Sequence, residues 1–318
     1  MNSYDVVVIG AGAAGLNAAL VLTRARRSVA IVDAGSPRNG PAAHLHGFLS
    51  RDGMPPLDFL AAGRAEVAGY GGTFISSTVT AISKAASPGF VVVLADGVRL
   101  AARRILVATG LRDSLPDIPG IAELWGTDVV ACPYCHGYEV ADRPLGVIGP
   151  PEQALLVRQW SSDVVLFSQS SEVPERARLA ARGIRIVEGT VARLAIEDSR
   201  LRGVEMSDGR CIAREALFVR PDFVPQDALL APLGYLAAQT DPGGQTNIPG
   251  IWVAGNVGNP RAILIQSAAE GAAAAAGINL DLVEADTDAA VAGVLSLGVF
   301  SHEMERRVSD MRQKSPLS

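Results

Sequence analysis

Residues 4–34 pass through three successive patterns of apolar and polar positions. YDVVVIG carries an unbroken apolar run from Val6 to Ile9, AGAAGLNAALVLTRARR repeats its apolar positions at helical spacing and closes on basic residues, and SVAIVDAG holds a second short apolar run ended by Asp33. Unbroken runs bounded by turn residues read as strands covered on both faces, and a period near 3.6 between them reads as the helix that covers one face. The segment is therefore expected to form one βαβ unit.

Beyond it the period is lost from Pro37 to Pro56, a stretch rich in Gly, Pro and His, which predicts a long loop over the C-terminal edge of the sheet. Helical spacing returns over 57–71. Strands are expected over Thr73–Thr80, Phe90–Ala95 and Arg99–Leu100, with a turn at Ala95-Asp96-Gly97, and RILVATG reads as a buried strand ending at Gly110. LRDSLPDIPG, with its prolines, predicts a crossing into another domain. There RPLGVIG, EQALLVRQW and DVVLFSQ repeat the βαβ pattern more weakly, and GIRIVEG, VARLAIED, GVEMSDG and EALFVRP read as further strands. TDPGGQTNIPG predicts the return crossing, IPGIWVAGN restarts the first pattern, and an Ala-rich helix is expected from Ile263 to Leu282. HEMERR alternates charge like a solvated helix face, and QKSPLS is expected to fray. The fold class is thus α/β with two domains. A Rossmann-type domain built from residues 1–113 and 242–318 is interrupted by a second nucleotide-binding-like domain at 114–241.

Composition narrows the function classes. A net charge of −5 and a pI near 5.5 give no basic field for a phosphate backbone, so nucleic acid is not an expected partner. The apolar run Val6–Leu22 follows Asp5 instead of a basic segment, contains three glycines and precedes no small-residue cleavage site, so it reads as neither export signal nor membrane span. A cytoplasmic enzyme is the expectation. Three cysteines make no disulfide framework; a close pair in such a chain is redox-active or metal-binding, and Cys211 stands alone as an expected buried strand residue.

Two constellations carry chemistry. Gly10-x-Gly12-x-x-Gly15 follows a strand and opens a helix, with Asp33 at the end of the next strand. The first glycine permits the turn, the second lets backbone approach a pyrophosphate and the third lets helix and strand pack closely. The N–H groups at the helix start, around Ala13 and Ala14, face the phosphates, and Asp33 accepts from ribose hydroxyls. Arg38 and His46 of the long loop join the expected cofactor contacts. The second constellation is Cys132-Pro133-Tyr134-Cys135-His136-Gly137-Tyr138-Glu139. Two intervening residues let both sulfurs sit at the start of one helical turn, close enough to cycle between dithiol and disulfide, and His136 is placed to carry the proton of an incoming thiol. A zinc half-site uses the same spacing and would draw its remaining ligands from His44 and His46, although a proline inside the pair fits redox chemistry better; no metal is expected.

Val107-Ala108-Thr109-Gly110 and Trp252-Val253-Ala254-Gly255-Asn256 resemble the remaining signatures of FAD-binding disulfide reductases, with Asn256 where that family usually has Asp. The helix starting at Ala262 and Ile263 then aims its N-terminus at the flavin. Over nearly its whole length the chain resembles the low-molecular-weight thioredoxin reductases, and CPYCHGYE is similar to the motif of the dithiol oxidases that close disulfides in gliotoxin, holomycin and related natural products. The resemblance implies FAD as cofactor, Cys135 as the flavin-proximal thiol, Cys132 as the thiol that exchanges with substrate, and a homodimer. The chain departs from the reductases where they bind NADPH. Gly149-Pro150-Pro151-Glu152-Gln153-Ala154 replaces the second glycine fingerprint, and Phe167-Ser168-Gln169-Ser170-Ser171 lacks the arginines that meet a 2′-phosphate. The expected direction of electrons is therefore from a small-molecule dithiol through Cys132 and Cys135 to FAD and on to O2, releasing H2O2. An NADPH-dependent thioredoxin or small-disulfide reductase and a flavin-binding redox sensor are the competing readings.

Overall fold

The computed structural model describes residues 1–85, 89–296 and 306. The first half of its architecture follows from alternation. In strands β1 (Asn2–Ile9), β2 (Val29–Asp33) and β6 (Arg99–Val107), side chains at i and i+2 share a face. Val6, Val8, Ile31 and Leu106 meet Leu16, Ala18 and Leu22 of helix α1 (Ala13–Arg24), Leu60 and Val67 of helix α2 (Pro56–Gly69), and Ala274, Ala275 and Ile278 of the long helix Leu264–Ser296. Val7, Ile9, Val32, Ile105 and Val107 form the opposite face with Val79, Phe90 and Val92. The sheet is seven-stranded. With β3 (Thr73–Ser76), β4 (Val79–Lys84) and β5 (Phe90–Leu94), its order is β3-β2-β1-β6-β5-β4, and strand Ile251–Val253 pairs in parallel with the C-terminal half of β6.

Three expectations are corrected here. Thr73–Thr80 is two strands, because the chain leaves its parallel pairing with β2 and turns at Ser77 and Thr78 to pair antiparallel with β5. Arg99–Leu100 and RILVATG are one strand through Ala101–Arg103. The Ala-rich helix continues to Ser296 instead of ending at Leu282. Its extension is held by polar pairs that a hydrophobic pattern does not display: Asp286 meets Arg27 and Arg103, one turn beyond the Asp281–Arg104 pair. HEMERR, apart from Arg306, and QKSPLS lie outside the described residues.

Residues 129–219 build a second sheet of five parallel strands, ordered 185–188, 164–168, 145–148, 216–219, 129–130, beside a three-stranded antiparallel meander. Cys211 lies on the edge strand of that meander and is exposed, not buried, since only one neighbouring strand covers it. The two halves are joined by a ribbon in which β7 (Leu111–Ser114) pairs antiparallel with Asp222–Pro225. The return crossing thus falls ahead of TDPGGQTNIPG. Leu230, fully buried, already packs with the first sheet, and Gly244 of that segment accepts from the Val253 N–H.

Asp128 ties the second half together, accepting from Arg200 at 2.8 and 3.0 Å and from the Leu201 N–H at 2.9 Å. Burial works to raise its pKa, but the hydrogen bonds from Arg200 and Leu201 and the charges of Arg200 and Arg143 outweigh it and hold the carboxyl below the usual range. A depressed carboxylate contributes stability above its unfolded pKa and loses it as pH falls through the folded value. Asp128→Asn is therefore expected to cost about 1–2 kcal/mol at neutral pH, with the gap to the parent closing below about pH 4 in denaturant titrations. Among the described residues, no helix is long and apolar enough to cross a membrane.

Candidate functional site

The glycine fingerprint forms a tight strand-to-helix turn whose constraints differ from residue to residue. Gly10 has φ of 99°, and a Cβ there would lie 2.5 Å from the Ala108 carbonyl oxygen; at Gly15 it would lie 1.9 Å from the Gly10 oxygen. Around a Cβ at Gly12, by contrast, there is nothing within 4 Å. Gly12 is the N-cap of α1, so open space sits where the helix presents unpaired N–H groups. A pyrophosphate fits that space, and a side chain would fill it.

The other expected cofactor residues gather at the same end of the sheet. Asp33 accepts from Ala11 N–H at 2.9 Å and Gly35 N–H at 3.2 Å, and pairs with Arg64. Gly255, with φ of 74°, leaves only 2.9 Å between its would-be Cβ and that of Ala14, bringing the C-terminal signature onto α1. Asn256 donates from Nδ2 to the carbonyls of Asn259 and Ala262 and accepts at Oδ1 from Arg38 at 3.2 Å. An Asp could not make the first two bonds, which gives the amide a local reason. Arg38 also grips Asp113 through two bonds of 2.8 and 2.7 Å. Thr109 and Gly110 are tied to Gln226, Gly255 N–H donates to Glu270, and Ile263 N–H donates to Gln266 while the Ile263 side chain is exposed. Arg64, Gln226 and Glu270 were missed by sequence reasoning. Their partners lie 31, 117 and 15 residues away in the chain, and no motif marks them.

Cys132 and Cys135 are joined as a disulfide with Cα atoms 5.3 Å apart. Cys132 is the extended N-cap of the one-turn helix α3 (Pro133–His136), and proline at its first position costs no hydrogen bond there. The Cys132 carbonyl accepts from the N–H groups of Cys135 and His136, so backbone bonds alone set the turn. Trp160 packs under it, 2.8 Å from where a Gly137 Cβ would stand and edge-on to Tyr134, while Tyr134 and Tyr138 are exposed beside the half-buried sulfurs.

His136 keeps its Nδ1 buried and without a hydrogen-bond partner. Burial lowers its pKa, the Glu139 carboxylate and the Cys132 carbonyl oppose that, and the nearby His46 ring reinforces it; the net effect is below the ordinary imidazole value. A neutral ring with a free nitrogen is a ready proton acceptor. The structure places His46 against the turn after the cysteine pair: its Nε2 lies 3.3 Å from Glu139 Oε1 and its Nδ1 3.3 Å from Asp52 Oδ2. The loop carrying it is closed by reciprocal backbone bonds, Leu45 to Met54 and Gly53 to Leu45. His44 is exposed, and among the described residues no three His, Cys, Asp or Glu side chains gather around a common metal position.

In the second sheet the turn corresponding to a nucleotide cradle is occupied by protein. A Cβ at Gly149 would stand 2.2 Å from Gln153 Oε1, because Gln153 folds back over the turn and donates from Nε2 to the Ala131 carbonyl. Helix α4 (Pro151–Val157) begins behind Pro150 and Pro151, which offer no N–H. After the following strand, Ser168 and Ser170 spend their hydroxyls on local turns, and Arg176 is held by Glu188 and the Ser171 carbonyl.

Residues 4–275 match the family described as pyridine nucleotide-disulphide oxidoreductase. A probable thioredoxin reductase from Arthroderma benhamiae is 35% identical over 181 residues, covering 54% of this chain, which spans 45% of that relative's length. Thioredoxin reductase sirT from Leptosphaeria maculans is 28% identical over 312 residues, covering 89% of this chain and 95% of that protein. The crystal structure of HlmI superposes with a TM-score of 0.89 at 52% identity, covering 93% of this chain and 97% of that one. With the α/β architecture and the glycine turn above, these matches establish that the chain belongs to the pyridine nucleotide-disulphide oxidoreductases, as a thioredoxin reductase-like, FAD-binding enzyme acting on disulfides.

Proposed function

We propose that this flavoenzyme is a dithiol oxidase that closes a disulfide in a small molecule. The observation that carries the reading is the turn at Gly149: prolines withdraw its N–H donors and Gln153 fills it, so an NADPH pyrophosphate has neither partners nor room there. The sulfurs, in turn, are half-buried on an open turn that a small substrate can approach.

In this reading a substrate thiolate attacks Cys132 Sγ, the Cys132–Cys135 bond breaks, and Cys135 leaves as a thiolate. The second substrate thiolate then attacks the first substrate sulfur, forming the product disulfide and expelling Cys132 as a thiolate. His136, whose pKa burial holds below the ordinary imidazole value, takes the proton of the incoming thiol. Gly10, Gly12, Ala13, Ala14, Gly15, Asp33, Arg38, Ala108, Thr109, Gly110, Gly255, Asn256, Ala262 and Ile263 would hold FAD, which when bound would supply the two-electron acceptor for the reduced pair, with O2 as final acceptor and H2O2 as its product. Exposed Tyr134 and Tyr138 flank the approach to the sulfurs and offer aromatic faces to a substrate ring.

The purified holoenzyme is expected to consume O2 and release an equal amount of H2O2 when given a small dithiol in air without nicotinamide. Absence of oxygen uptake together with rapid anaerobic bleaching of the flavin by NADPH would overturn the reading in favour of a reductase.

A further inference from the structure

The two halves of the chain meet through a slender joint. Leu111–Ser114 and Asp222–Pro225 form a two-stranded ribbon, and a pair of strands without a third is marginal by itself. The glycine turn lies on one side of that joint and the cysteine turn on the other, so the ribbon alone would leave their separation loosely set.

The loop between β2 and α2 fastens the halves further. At its start Arg38 holds both strands of the ribbon, through the Asp113 carboxylate at 2.8 and 2.7 Å and through the Phe223 ring, whose centroid lies 5.2 Å from the guanidinium carbon. Pro41 lies against Gly126, so close that a Cβ on that glycine would stand 2.9 Å from the Pro41 Cβ. His46 then meets Glu139 at 3.3 Å, on the turn that follows the cysteines. The loop is itself anchored in the first half. Leu45 is buried, its N–H donates to the Met54 carbonyl and its carbonyl accepts from Gly53, and Phe48 packs on Phe59 of α2 with ring centroids 5.1 Å apart. Asp52 completes the brace, accepting from the Gly47 N–H at 2.9 Å and meeting the other nitrogen of His46 at 3.3 Å.

We propose that the loop 37–56 is a strap across the two halves, and that His46 and Glu139 are positioning residues at its outer end, fixing where the cysteine turn stands relative to the glycine turn. The inference rests on the electron path from the cysteine pair to FAD proposed above. Neither residue reacts in that path: no proton or electron passes through the pair, and both act only by holding the turn. The fastening proceeds in chain order, from the joint at Arg38, through the body of the second half at Pro41, to the sulfur-bearing turn at His46.

His46→Glu tests the strap by setting a third carboxylate between Asp52 and Glu139. The holoenzyme, its Cys132–Cys135 disulfide intact, is mixed anaerobically with dithiothreitol, and two signals are followed: free thiols, by alkylation and mass, and bleaching of the flavin. Thiol exchange needs only the cysteine turn and is expected within about threefold of the parent. Flavin reduction needs the halves in register and is expected to slow about tenfold. Adding Glu139→Lys to His46→Glu reverses the pair, and flavin reduction is expected to return to within about threefold of the parent. A further readout is independent of the cofactor. In the apoprotein the ribbon amides of 111–114 and 222–225 are expected to exchange with deuterium about fivefold faster in His46→Glu, and to slow again in the reversed pair. Parental behaviour of His46→Glu in both assays, equal slowing of thiol exchange and flavin reduction, or a loss that the reversed pair leaves in place would overturn the strap. Failure of the oxidase reading would show separately as missing oxygen uptake by the parent, with the ribbon amides still reporting on the loop.

Discussion

Cys135→Ser is expected to keep its flavin and lose dithiol-driven oxygen uptake by about 10⁴-fold, the scale on which removal of a covalent participant acts. The hydroxyl cannot form a disulfide with Cys132, so there is no bond for a substrate thiolate to break and no thiolate to release. Nothing else about the turn should change. Its shape is set by N–H groups of Cys135, His136 and Gly137 donating to the carbonyls of Cys132 and Pro133, with Trp160 beneath, and no sulfur takes part in those bonds. The cofactor residues sit on other elements, so the visible spectrum and flavin content should match the parent. An oxygen electrode and a flavin assay check both halves, and a variant that still turns over at parental rate would remove the cysteine pair from the chemistry.

The second large effect separates two glycines three residues apart. Gly15→Ala places a methyl carbon 1.9 Å from a backbone oxygen of Gly10, against main chain that cannot swing aside, and α1 must lift from β1. Overpacking of this kind costs about 1–3 kcal/mol or more, so a lower melting temperature and failure to take up FAD are expected together. Gly12→Ala meets nothing within 4 Å and has an ordinary φ of −75°, so the apoprotein should melt within about 1 kcal/mol of the parent, the small loss being that of a poorer N-cap. Its methyl group nonetheless stands where a pyrophosphate must approach the helix N–H groups, and FAD affinity is expected to fall about 100-fold. Thermal unfolding of the apoproteins and titration with FAD distinguish the two. Parental affinity in Gly12→Ala would mean that the phosphates lie elsewhere.

How much of this was legible depended on the range of each interaction. The glycine turn, its strands and the cysteine turn are local: period, glycine spacing and a Cys-x-x-Cys pair are contained within a few residues, and the fold realises them with Gly10, Gly12 and Gly15 in distinct steric roles. The loop Pro37–Pro56 was legible as a loop but not in its contacts. The loop's position after β2 is legible, but the contacts of the His46 ring with Glu139 and Asp52 are a pairing between carboxylates and an imidazole that no periodicity records. The same holds for the C-terminal helix beyond Leu282. Its far half keeps little of the core face, and Arg27 and Arg103 hold it through Asp286 from far back in the chain. The position of the return crossing was missed because Asp222–Pro225 looks like neither strand nor turn in isolation; it becomes a strand only by pairing with Leu111–Ser114. Gln153 illustrates the converse. Sequence showed the prolines, but only the fold shows that the glutamine amide lies over Gly149.

That amide bears on how the protein can change over generations. Removing Pro150 alone would leave Pro151 without a donor and the space still filled by Gln153; trimming Gln153 alone would leave both prolines at the helix start. Under the oxidase reading proposed above, neither single replacement would rebuild a dinucleotide cradle here, and the two changes would have to come together.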